Sequence, residues 1–221
     1  MPRFPQAVRR HHHKSDNSVV VVRKMEPMRT YDERVLMARL EPLDRRKRTA
    51  FAASCAQRLS PLFERYAQAA GVPAAADRLA SILAAAWDLT SQPAGEVMAM
   101  EADATSMVPD EDEDGWVPES AYGQNGAAAV SYALSTWRTD DPQNAVWAAL
   151  QVYEAADYAF WQANPDADPN EDGTALRSEF VQAALSAIDQ DLDAVASGPP
   201  SWDGLRQRAE ADGRTWAATF G

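Results

Sequence analysis

The chain is poor in the groups most enzymes work with. Its three histidines are adjacent, His11-His12-His13, so the 208 residues after them hold none. That removes His-based general acid–base catalysis, nucleophiles activated by His, and His-bearing zinc or di-iron sites from the body of the protein. Lys47 is the only lysine after Lys24, and no Gly-rich phosphate loop is present. A single cysteine, Cys55, excludes an internal disulfide and suits a reducing cytoplasm, the expected location. Cys55 sits among Ala and Leu, as a small buried hydrophobe would. No apolar run approaches the roughly 20 residues of a membrane span. The basic N-terminus is followed by only four apolar residues, Val19–Val22, which is too short for a signal-peptide core.

Charge is plentiful but uneven. Residues 1–24 carry six Arg or Lys against Asp16, a net of +5, so the rest of the chain carries −17 of the total −12. Such a body repels nucleic-acid phosphates and anionic lipid and steers basic surfaces toward itself. Neither nucleic acid nor membrane is therefore an expected partner; a basic protein is. Residues 1–29 show no helical period and read as a disordered basic leader, or as sequence upstream of a start at Met25 or Met28. Residues 30–221 read as one domain, long enough for a full hydrophobic core.

Punctuation within that domain is helical. Thr30 and Glu33 form a capping-box pattern before Val35, Leu36 and Leu40. Asp44 is placed to cap a helix running through Leu59, and Ser60-Pro61 to start another that ends at Gly71. Leu79, Ile82, Leu83, Ala86 and Trp87 give the next stripe, opened near Pro73, and residues 93–107 a shorter helix. Glu119–Arg138 carries Val130, Leu134 and Trp137 inward. Asp141-Pro142 restarts the helical pattern as far as Asn164-Pro165. Leu176 to Val195 forms a long stripe stopped at Gly198, and Ser201 caps a short last helix holding Trp202 and Leu205. The expected fold is all-α: an antiparallel bundle of about seven to nine helices.

A family resemblance is carried by Ala50–Ala53, Cys55, Arg58-Leu59, Pro61, Phe63, Tyr66 and Ala86-Trp87-Asp88. Tyr122-Gly123, Ala128 and Ala133-Leu134, after an acidic Pro-Asp-Glu-Asp run, add to it. In these residues the chain resembles the YjaG-like bacterial family, domain of unknown function 416, from about Leu40 to Ile188. The resemblance implies an all-helical fold and no particular activity. It also marks a departure, for Ala129 stands where the family tends to carry an aspartate after Tyr-Gly.

Carboxylates are what remain for chemistry. Asp168, Asn170, Asp172, Gly173 and Glu179 have the spacing of a calcium loop, but Ala175 stands where a larger apolar residue is usual and no paired loop exists. A capped acidic linker is the reading adopted. The run Asp110 to Gly115 lacks the closing glutamate, with Ala121 in its place. Glu154 and Asp157 share a helix face, as do Asp189 and Asp193. Two such pairs could hold Mg²⁺ against a phosphoanhydride in a nucleotide pyrophosphohydrolase. Asp157 within an apolar stripe is equally accounted for by an ion pair with Arg58 or Arg65. The main functional expectation is thus a binding module without catalytic residues or cofactor, of immunity or antitoxin type. Asp110, Asp112, Asp114 and Trp116 would contact its basic protein partner; the Mg²⁺-dependent hydrolase is the alternative.

Overall fold

A computed structural model describes residues 28–110, 115–171, 173–199 and 201–220. Among them are eight α-helices, two single 3-10 turns and no strand: α1 (Glu33–Leu40), α2 (Arg45–Ala69), α3 (Pro73–Ala86), α4 (Ala94–Ser106), α5 (Ser120–Thr139), α6 (Pro142–Ala163), α7 (Glu179–Ser197) and α8 (Asp203–Thr219). None is long and apolar enough to cross a membrane.

Helix α2 is the axis of the bundle. Its residues Thr49, Ala50, Phe51, Ala52, Ala53, Ser54, Cys55 and Ala56 are all buried, so for two turns the helix has no solvent face. Such a helix must be surrounded, and α3, α5, α6, α7 and α8 all pack against it. Small side chains let them come close. On α5, a Cβ at Gly126 would lie 2.8 Å from the Cβ of Phe63, and one at Gly123 would lie 2.5 Å from the ring of Tyr66.

Two helix starts differ from expectation. The cap of α1 is Asp32, whose Oδ1 accepts from the N–H groups of Arg34 (2.9 Å) and Val35 (3.1 Å), rather than Thr30. A carboxylate two residues nearer the helix displaces the capping box. Ser60-Pro61 starts nothing, since α2 runs through it to Ala69 with Pro61 inside. Pro61 deletes one backbone hydrogen bond, but Leu59, Leu62 and Phe63 are buried on either side of it, and that packing carries the helix across. The stop at Gly71 is as expected: φ is +74°, and the N–H groups of Gly71 and Val72 return to the carbonyls of Gln68 and Ala67 at 3.2 and 2.8 Å.

Asp44 caps α2 and Asp141 caps α6 through their side chains. The stripe beginning at Leu176 is broken: Ala175–Arg177 form a 3-10 turn, and Ser178 then caps α7. Helix α8 is longer than anticipated, and no side chain caps it, for the Ser201 hydroxyl donates to Asp203. Of the anticipated leader, residues 1–27 lie outside the described residues. Arg29 is tied to α7: its N–H donates to Gln182 Oε1 and its carbonyl accepts from Gln182 Nε2, both at 2.9 Å.

Candidate functional site

Two of the four carboxylates considered for Mg²⁺ are used in ion pairs. Asp189 accepts from Arg29 Nε (3.2 Å) and Arg39 Nη1 (3.0 Å), and Asp193 accepts from Arg39 Nη2 (2.7 Å). Glu154 and Asp157 lie on α6, and the pKa of each is raised. Burial is the main cause for both, with repulsion from Asp157 added for Glu154. The arginine partner anticipated for Asp157 is a mistaken assignment. Arg58 is taken by other acids, and Arg65 donates to the carbonyls of Ala217 and Phe220. Among the described residues, no three His, Cys, Asp or Glu side chains are grouped so as to hold a metal ion.

The calcium-like loop is bonded within itself. Asp168 Oδ1 accepts from the backbone N–H of Asn170 (2.9 Å) and from its side-chain amide (3.0 Å), and Glu171 pairs with Arg177 (3.2 Å). Glu179 opens α7, and Asp172 lies outside the described residues.

Of the four residues assigned to a partner, Asp112 and Asp114 also lie outside the described residues, and Asp110 is exposed. Trp116 is 42 % exposed, so its indole is not absorbed by the protein's own core. The segment presenting it is fixed at both ends. Gln124 Nε2 donates to the Pro109 carbonyl at 3.0 Å, and the Tyr158 hydroxyl donates to the Pro118 carbonyl at 2.7 Å. Ser120 Oγ accepts from the Val117 N–H at 3.0 Å, steadying the entry to α5.

The structure adds a polar centre that the sequence reading missed. Arg58, fully buried on α2, donates from Nη1 to Asp191 Oδ2 (2.8 Å) and from Nη2 to Asp212 Oδ2 (3.0 Å). Asp191, equally buried on α7, also accepts from Ser54 Oγ (2.7 Å) and from Arg208 Nη2 (2.8 Å). Trp216 of α8 covers the Arg58 guanidinium at 5.7 Å. Two arginines and two aspartates balance, and every oxygen of Asp191 is occupied. Burial alone would lower the pKa of Arg58, but Asp191 outweighs it and holds the guanidinium above its ordinary value. The neighbouring Cys55 thiol is pushed far up, by burial first and Asp191 second, so it stays protonated and unreactive. This cluster joins α2, α7 and α8, with its centre buried. Its signal was in the sequence: Asp191 falls between Ile188 and Val195 on the inward face of α7, where an acid requires a buried cation.

With the eight-helix frame in place, residues 36–215 match the family described as "Protein of unknown function (DUF416)". The chain belongs to this family. A solved DUF416 family protein from Shewanella baltica OS155 superimposes with a TM-score of 0.63 at 14 % identity, over 81 % of this chain and 93 % of that one. At that identity the likeness concerns the fold. None of the curated proteins matches the chain. The match begins within α1 and ends within α8, so both partners of Arg58 fall inside the DUF416 region.

Proposed function

We propose that this DUF416 protein is a cytoplasmic binding module without catalysis, whose segment between α4 and α5 takes a basic protein surface. The observation that supports it most is Trp116: an indole left 42 % exposed beside an acidic run, on a segment anchored at Pro109 and Pro118. Exposed aromatics beside charge are typical anchors of interfaces, and a surrounding rim of acids steers a basic partner in. The charge of −17 outside the first 24 residues works in the same direction. An inhibitor of immunity or antitoxin type is the sharpest form of this reading.

The test is kinetic. A basic protein that co-purifies from the native host, or is encoded beside this chain, should associate more slowly as salt rises. Neutralising Asp110, Asp112 and Asp114 together should lower the on-rate, whereas Trp116→Ala should raise the off-rate. Salt-independent association, or a partner indifferent to both variants, overturns the reading.

A further inference from the structure

Four consecutive cations, Arg45, Arg46, Lys47 and Arg48, open α2 in a protein that is otherwise strongly acidic. They stand at the positive end of the helix dipole, where cations are disfavoured. Two have local employment. Arg45 donates to the Trp137 carbonyl and lies 4.2 Å over its ring. Arg48 donates to the carbonyls of Leu40 (3.1 Å), Glu41 (2.7 Å) and Asp140 (2.8 Å), closing the ends of α1 and α5. The side chains of Arg46 and Lys47 make no hydrogen bond or ion pair among the described residues.

Both of these face a cleft. A bowl of about 210 Å³ lies between the start of α2 and the turn from α7 to α8, with Lys47, Gly198 and Ser201 in its wall. Arg46 and Trp202 line the bowl and also an adjoining recess of about 20 Å³, enough for one water-sized group. Trp87 and Trp137 form apolar walls of that recess, and Thr49 forms part of its lining. Thr49 is 4 % exposed, and its hydroxyl has no hydrogen-bond partner among the described residues. A buried hydroxyl left unpaired is costly, and a ligand that bonds to it recovers that cost. Cations without partners, an unsatisfied buried hydroxyl and indole walls therefore line two adjoining hollows that share Arg46 and Trp202.

We propose that this cleft binds an aromatic monocarboxylate. The carboxylate pairs with the Arg46 fork and accepts from the Thr49 hydroxyl in the recess, with Lys47 adding charge, and the ring lies against Trp202. Asp44 in the bowl and Asp88 in the recess set the ligand's charge, since they repel a dianion such as a phosphomonoester more than a single carboxylate. The indoles set its shape, because a flat ring gains burial and stacking that a bare inorganic anion cannot.

The probe is 2-naphthoate, titrated into the full-length protein by calorimetry and by quenching of tryptophan fluorescence. Saturable one-to-one binding with a Kd of about 1 mM or tighter is expected. Arg46→Gln, at an exposed position that leaves the fold intact, should weaken binding by about tenfold, the loss of one charge-assisted bond. Trp202→Leu, checked for an unchanged melting temperature, should weaken it as well. The neutral 2-naphthamide and inorganic phosphate should each bind at least about tenfold more weakly than 2-naphthoate. No saturation, an amide that binds as well as the acid, phosphate that binds as well as naphthoate, or indifference to Arg46→Gln would each overturn the proposal.

Discussion

The guanidinium of Arg58 and the carboxylate of Asp191 meet at 2.8 Å, and neither side chain reaches solvent. A pair in that position is costly to break and much less costly to replace whole. Asp191→Ala leaves Arg58 half-compensated in the core and should lower stability by about 3–5 kcal/mol. Arg58→Met combined with Asp191→Leu should cost clearly less than the two single changes together, because no unpaired buried charge remains at the centre. Urea midpoints at unchanged slope would check both.

Gly213 is where α8 touches α2. A Cβ there would lie 2.4 Å from the Arg58 carbonyl oxygen and 3.1 Å from Pro61 Cδ, and backbone cannot swing aside. Gly213→Ala should therefore destabilise by about 1–3 kcal/mol. On the same helix, Gly204→Ala adds a Cβ that meets nothing within 4 Å, and should be neutral or stabilising by about 0.5 kcal/mol. Thermal melts of the two variants should move in opposite directions, or Gly204→Ala should stay level while Gly213→Ala falls.

Glu154 and Asp157 have raised pKa values in the folded protein. An acid of that kind disfavours folding when ionised. The penalty is present at neutral pH and is relieved as pH falls through the raised folded value toward the ordinary carboxylate range. Asp157→Asn keeps the shape of the side chain without its charge and should raise the melting temperature at neutral pH, with the gain shrinking in acid. A gain that grows on acidification would contradict the assignment.

Asp44 stabilises α2 twice over. It caps the Lys47 N–H at 3.0 Å and sets a negative charge before four cations at a positive helix end. Asp44→Ala should cost about 1–2 kcal/mol, the upper part of the usual capping range. Added salt should reduce the loss by screening the cations from one another.

The helices were largely legible because their signals are local. Asp44, Asp141-Pro142, Gly71 and Gly198 mark boundaries through backbone chemistry that needs no knowledge of the rest of the chain. Ser60-Pro61 misleads for the opposite reason, since the local signal says start while the burial of Leu59, Leu62 and Phe63 keeps the helix whole. The site was less legible. Arg58 and its acids are 133 and 154 residues apart, and spacing along one helix reveals nothing about pairing across such distances. The Asp157 error follows the same pattern: an acid in an apolar stripe suggests a buried cation, but Arg58 and Arg65 are bonded elsewhere and Asp157 is left with a raised pKa instead. The run Arg45 to Arg48 was visible throughout; which of its members are occupied depends on where the ends of α1 and α5 arrive.

Because the middle of α2 has no solvent face and its buried Arg58 is matched only by acids on α7 and α8, synthesis imposes an interval on the protein. Arg58 leaves the ribosome 133 residues ahead of Asp191, a lead of roughly 7 to 27 s at ordinary elongation rates. Throughout that time the helix destined for the centre carries a charge that resists burial. The bundle can close around α2 only once α7 and α8 have emerged, so the last two helices decide when the nascent chain commits to its core.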